Sequence, residues 1–221
     1  MLLCLVVLTF AVKAQDNPSV QPTPKPEPTQ LKTEQTYTAQ DYADQLAKLK
    51  GGDTNIDYTA LRMGFVETED YSYSGTDKAE LEKMYKPYND KKYKDALKQA
   101  EKILEKNYVE ANAHYVAYNS ATELKDEKKA EFHKAVLLGL LSSIKNGNDG
   151  LSAEKPFKVI TIDEEYTMLR FLGYQRGGQA LQNFGGHQFD VLTATNAKTS
   201  QQVKFYFNID VVWKAETDIF K

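Results

Sequence analysis

The side chains of this chain that bear chemistry are few: three histidines, His114, His133 and His187, and a scatter of neighbouring carboxylates. His114 and His133 fall on adjacent helical stretches and can meet. Two imidazoles with Glu110 or Glu131 would make a zinc site, but nothing has the HExxH spacing and His133 lies beside an apolar stripe. His187 follows Gly185 and Gly186, which predicts a place in a hairpin turn, where His tolerates unusual backbone. Asp163 and Glu164 stand at a helix start, where the helix dipole and capping account for them. Two carboxylates across a cleft can act as acid and base, but the sequence does not choose the pair. Glu67, Glu69 and Asp70 lack calcium-loop spacing and read as a solvated acidic loop. There is no G-x-S-x-G elbow and no phosphate or dinucleotide glycine loop. The glycine pairs beginning at 51, 177 and 185 read as turn or cap glycines. No catalytic constellation, metal site or cofactor is expected.

Helices must position the first two histidines. Residues 37–145 are written in helical period. Thr38 and Asp41 make a capping box, Tyr37 staples to Tyr42, and Gly51 and Gly52 close the first helix. A short helix is expected over residues 57–65, then a loop over 67–76. A further helix opens after Asp77. Tyr93, Ala96, Leu97, Ala100, Ile103 and Leu104 share one helical face, as do Tyr108, Ala111, Tyr115 and Tyr118. A helix from Glu127 to Lys145 turns Val136, Leu137, Leu140, Leu141 and Ile144 inward, with Asp126 as its cap.

Beyond Gly147 the pattern changes. FKVITI reads as a strand, DEEYTMLRFLG as a short helix, and YQRGGQALQNF, HQFDVLTAT and QVKFYFNID as strands joined by GG-type and TNAK turns. Short turns favour an antiparallel meander of three to four strands with one helix against it. An uncovered last strand, residues 201–209, would favour edge-to-edge assembly with other chains.

The chain opens MLLCLVVLTFAVKAQ, an apolar run too short to span a bilayer, with Ala14 as a cleavage position. Residues 1–14 are expected to be a signal peptide, so the protein is expected to be exported, periplasmic or extracellular. Cys4, the one cysteine, falls inside the signal, which removes disulfides and thiol chemistry from the mature chain. Pro18, Pro22, Pro24, Pro26 and Pro28 are five of seven prolines, so residues 15–36 read as a disordered tether. No later segment is apolar enough to cross a membrane. A formal net charge of −3 argues against a nucleic-acid partner.

Shifting the chain by about 34 residues lays Leu81 on Tyr115, Ala96 on Ala130, Ile103 on Leu137 and Leu104 on Leu138. The segment YKDALKQAEKILEKNYVEANAHYVAY resembles tetratricopeptide repeats: Tyr93, Ala96 and Ala100 match a second helix, and Ala111, Tyr115 and Tyr118 the next first helix. The proline that often closes a repeat is absent, with Asn107 in its neighbourhood. FKVITIDEEYTMLRFLG, the hairpin ending KFYFNID and the earlier IDYTALRMGF resemble the family called domain of unknown function 4919. That resemblance implies an exported bacterial protein and carries no activity, cofactor or site residue.

The expected fold is α+β: tetratricopeptide-like antiparallel helical hairpins over residues 37–145, then a small antiparallel β-sheet with one helix over residues 146–221, packed on the helices. Eleven of fourteen tyrosines lie between Tyr37 and Tyr118, and tyrosine suits a binding surface. The expected function is a protein-binding or scaffolding module of the bacterial envelope, its partner a protein or peptide. Tyr71, Tyr73, Tyr85, Tyr88 and Trp213 are the candidate contacts. The rival is an envelope hydrolase using carboxylates or His187.

Overall fold

The computed structural model describes residues 35–218; the expected signal peptide and nearly all of the expected tether lie outside the described residues. Six helices come first. α1 (Ala39–Lys50) begins at the expected box, with Thr38 N–H donating to Asp41 Oδ2 at 2.8 Å and Asp41 N–H to Thr38 Oγ1 at 3.3 Å. α2 (Tyr58–Phe65) is capped by Asp57, whose Oδ1 accepts from the Thr59 and Ala60 amides at 2.9 Å. The two helices touch at Gly64, where a Cβ would meet Thr38 O and the Tyr42 amide at 2.6 Å, so only glycine permits the approach.

α3 (Lys78–Asn89) with α4 (Tyr93–Lys106), and α5 (Ala111–Glu123) with α6 (Glu127–Lys145), form tandem helical hairpins. The expected internal match holds at Ile103 and Leu137, both buried, and fails at Leu138. Leu104 is 5% exposed and Leu138 is 56% exposed. In the second hairpin Leu138, and Leu124 at 44%, are thus left uncovered by the described residues.

The sheet is mixed, which corrects the expectation of a purely antiparallel one. β2 (Tyr174–Phe184), β3 (His187–Asn196) and β4 (Gln202–Asn208) form the expected antiparallel meander. β1 (Phe157–Lys158) adds parallel to β4, giving the order β1-β4-β3-β2. β1 is only two residues long because Thr161 N-caps α7 (Ile162–Phe171) three residues later. A second helix, α8 (Asp210–Asp218), follows β4 where one helix was expected. The last strand pairs with β3 along its length and with β1 at Phe207 and Asn208; the other edge is β2, whose residues after Tyr174 are all exposed. Gly177 and Gly178 make no turn. They sit inside β2 at a break of register between Arg176 and Gln179. Gly185 and Gly186, with φ of +61° and +84°, do form the β2–β3 turn.

α6 joins the layers. Val136, Leu137 and Leu140 pack with α1, α2 and Ile160, while Ile144 packs with Phe157, Leu192, Phe207 and Val212 of the sheet side. A third cluster, around Met84, Ala100, Ile103 and Val116, fills the α3–α4–α5 interior.

Candidate functional site

The first turn of α7 sends three successive carboxyls to three different buried partners. Thr161 starts the helix, its Oγ1 accepting from the Glu164 amide at 3.3 Å. Glu164 receives Arg62 of α2, with Nε to Oε1 at 2.9 Å and Nη2 to Oε2 at 2.5 Å. Arg62 is 1% exposed and also donates to Ser143 Oγ at 2.9 Å and the Lys158 carbonyl at 3.1 Å. The Ile160 amide also donates to Glu164 Oε2 at 2.8 Å. This bidentate pair ties α2, α6, β1 and α7 together.

Glu165 meets Asp190 of β3. Glu165 Oε2 and Asp190 Oδ1 are both buried and neither finds a donor as a carboxylate. One proton satisfies both, as an O–H···O bond. Burial, then the Asp190 charge, pushes Glu165 up to about 9, so the pair holds that proton at neutral pH. Gln179 follows the break in β2 and, though itself exposed, its Nε2 donates to Asp190 Oδ2 at 2.5 Å. Arg176 donates to Gln179 Oε1 at 2.5 Å and lies 4.6 Å from the Tyr166 ring.

Asp163 faces Glu110, the N-cap of α5. Burial, then Glu110, pushes Asp163 up to about 6, against the pull of Lys78 and Arg170. Burial also raises Glu110, although Thr76 Oγ1 donates to it at 2.7 Å and Asn112 Nδ2 at 2.8 Å. These two carboxyls border a cavity of about 10 Å³ with Asn107, Thr161, Glu164 and Thr167. That is room for one water. An acid and a base stand together here, but a substrate does not fit between them.

The roomy site lies at the far end of the helices. An open cleft of about 1050 Å³ runs between the end of α1, the end of α4 and the start of α6. Leu49, Leu104, Tyr108 and Phe132 give it an apolar floor. Lys50, Glu105, Lys128 and Glu131 stand on its rim, beside a Lys129–Glu101 ion pair of 2.6 Å. His133 lines it, and His114 lies directly behind. The two Nδ1 atoms are 3.0 Å apart, and His114 Nε2 is 3.0 Å from the Tyr108 carbonyl oxygen. Burial, then His133, lowers His114 to about 3; burial lowers His133 to about 4, with Glu101 raising it and Lys129 lowering it. The expected meeting of these histidines is therefore real, but Nδ1 faces Nδ1 at hydrogen-bond distance. Glu110 is engaged elsewhere, and no trio of His, Cys, Asp or Glu among the described residues is placed to hold a metal ion.

The candidate contact residues fall in separate places. Tyr71 donates its hydroxyl to the Ile160 carbonyl at 2.6 Å and packs edge-on to Phe65. Tyr73 packs against the sheet core, its carbonyl accepting from the Ile162 amide at 2.9 Å. Tyr85 accepts from Arg170 at 2.8 Å, and Tyr88 packs on Tyr93 and Tyr115. Trp213 sits on α8, 38% exposed. None of the five lines the cleft. His187 caps the β3 start with Asp210, Nδ1 to Oδ2 at 2.6 Å. Burial would raise Asp210, but bonds from the Gln188 amide, Asn208 and His187 hold it below the ordinary range. No hydroxyl bonds to His187 among the described residues. Tyr108 and Phe132 were missed as site residues. Tyr108 is read from sequence only as one position of an inward stripe, and nothing local marks that stripe as ending in a cleft.

The fold and the site define an α+β protein with tandem helical hairpins, a mixed sheet and an open cleft at the hairpin ends. The chain belongs to the family described as Domain of unknown function (DUF4919), whose model matches residues 32–217. No curated protein and no solved structure matches it.

Proposed function

We propose that the chain is an exported binding or scaffolding module of the bacterial envelope, and that the α1/α4/α6 cleft receives an extended segment of a protein partner. The single observation behind this reading is the cleft itself: about 1050 Å³, with an apolar floor and a rim carrying both signs of charge. Such a surface suits a chain that buries a few apolar side chains and leaves its polar groups at the edge. Export rests on the opening apolar run and its Ala14 boundary. The tyrosines first singled out by composition serve the α1–α2 core (Tyr71), the sheet side (Tyr73) and the α3–α5–α7 junction (Tyr85, Tyr88), so the contact residues move to Tyr108 and Phe132.

The test is affinity capture by the full chain from solubilised envelope extract, with stoichiometry read by mass spectrometry. A partner retained near one to one, lost in Phe132→Ser and kept in a folded Tyr85→Ala/Tyr88→Ala variant, supports the cleft. Loss in the tyrosine variant alone moves the surface to α3. No retained protein overturns the reading.

A further inference from the structure

The hydrogen-bond pattern of the two histidines fixes where their protons lie. The Tyr108 carbonyl only accepts, so His114 Nε2 carries a hydrogen. Between the two Nδ1 atoms, 3.0 Å apart, there is room for one hydrogen. If His114 supplied it, His114 would be an imidazolium with no exposure at all and no carboxylate bonded to it. The other arrangement needs no buried charge. His114 Nδ1 accepts, and His133 Nδ1–H donates. A neutral His133 then holds its second nitrogen, Nε2, unprotonated. Nε2 points away from His114, on a residue 6% exposed that lines the cleft, and it has no partner among the described residues. Nε2 is not sealed from solvent, so it is an acceptor open to the cleft, where a donor from a ligand can take the place of water.

We propose that His133 Nε2 is the recognition point of the cleft, and that it takes a neutral hydrogen-bond donor, a hydroxyl or an amide N–H, from the residue the partner places there. This rests on the cleft being the binding surface proposed above. The chemistry excludes other groups. A carboxylate, phosphate or bare carbonyl would set acceptor against acceptor. An ammonium would lose its water in a site whose nearest charges, Lys129 and Glu101, already neutralise each other at 2.6 Å. Phe132 packs edge-on against the His133 ring and Tyr108 also lines the cleft, so a donor carried on an apolar or aromatic body fits. His114 is a positioning residue: it orients the His133 ring and fixes its tautomer, as a second partner does for any imidazole whose free nitrogen must accept.

Two measurements on the full 15N-labelled chain test this. The first is the tautomer of each histidine, from two-bond proton–nitrogen correlations at neutral pH. His133 is expected with hydrogen on Nδ1 and His114 with hydrogen on Nε2. A hydrogen on His133 Nε2 overturns the proposal, whether or not a protein partner is ever captured. The second titrates small probes matched in shape: phenol against anisole, and N-methylacetamide against N,N-dimethylacetamide. The donor of one pair or both is expected to move the His133 Nε2 shift and to bind about tenfold more tightly than its methylated match, roughly one hydrogen bond. Phenol alone responding assigns a hydroxyl, and N-methylacetamide alone an amide. Equal response within each pair, or none, overturns the proposal. His133→Phe is expected to erase the difference; if that variant does not fold, the wild-type tautomer still decides.

Discussion

The first turn of α7 and the histidine pair at the hairpin ends hold the same raw material in opposite arrangements. Both bury ionisable groups, and both keep some of them neutral. Around α7 most of the carboxyls find partners inside the protein: Glu164 on Arg62, Glu165 on Asp190, Glu110 on Thr76 and Asn112, while Asp163 Oδ2 and Asn112 Oδ1 stay buried without one among the described residues. What space remains, about 10 Å³, has room for about one water. At the histidines the chain of bonds runs from the Tyr108 carbonyl through His114 to His133 and stops at a cleft of about 1050 Å³. Perturbed ionisation marks both regions, so it does not by itself tell function from architecture. Whether an open valence faces room for a ligand does: about 10 Å³ beside Asp163, about 1050 Å³ beside His133.

The largest test of that contrast breaks the closed side. Glu164→Gln leaves Arg62 charged and 1% exposed with no counter-charge. Removing one member of a buried pair costs about 3–5 kcal/mol. A drop of that size is expected in urea unfolding, together with loosening of both layers, because Arg62 reaches α6, β1 and α7. Arg62→Met/Glu164→Leu should recover most of it. A loss below about 1 kcal/mol in the single variant would mean that the pair does not hold the layers together.

The next test concerns the shared proton. Glu165 titrates at about 9 in the fold against an ordinary 4.5. Between these values the folded state keeps a proton that the unfolded chain has released, so stability falls as pH rises through that window. Glu165→Gln keeps a donor for Asp190 and removes the titration. It is expected to stabilise the protein at pH 8 by about 2 kcal/mol and to make little difference near pH 4. A destabilised variant at pH 8 would show that Glu165 is ionised and the pair is not closed by a proton.

Much of the framework was legible in the sequence because it is written in local chemistry. Thr38 with Asp41, Asp77 and Asp126 cap where the sequence places helix starts, while Asp57, read as the first residue of its helix, proves to be its cap. The inward face of α6 and the alternation of Val203, Phe205 and Phe207 follow from period alone. What failed depends on partners distant in the chain. Gly177–Gly178 looks like a turn, and only pairing with β3 makes it a break in a strand that aims Gln179 at Asp190. β1 is parallel because α7 and the hairpin intervene before β4. Trp213 lies on a helix that no glycine or strong cap announces. The acids of α7 read as dipole partners, and their separate buried destinations, Glu110, Arg62 and Asp190, come from α5, α2 and β3. Of the site, the pairing of His114 with His133 was visible from their places on adjacent helices, while the cleft was not, because it is bounded by residues from three elements.

On the open side the pH dependence runs the other way. His133 and His114 titrate at about 4 and about 3 in the fold against an ordinary 6.5. As pH falls from 6.5 toward 4, the unfolded chain takes up protons that the folded histidines refuse, and stability is lost. Glutamine at position 133 can donate to His114 Nδ1 without titrating. His133→Gln is expected to flatten the acid limb by about 1–2 kcal/mol between pH 6.5 and 4, measured by urea unfolding at stepped pH. An unchanged limb would place the acid sensitivity elsewhere.

The smallest effect separates a surface tyrosine from a site tyrosine. Tyr85→Phe loses one bond, from the exposed Arg170 at 2.8 Å, and keeps the ring packing against the α3–α4–α5 cluster. A change of less than about 0.5 kcal/mol is expected, with no effect on partner retention. Tyr108→Phe keeps the carbonyl that fixes His114, so the tautomers should stand while any bond from the Tyr108 hydroxyl to the partner is lost. Loss of retention in Tyr85→Phe, with none in Tyr108→Phe, would reverse the assignment: the α3 face would then be the open region, and the cleft would join α7 as a closed one.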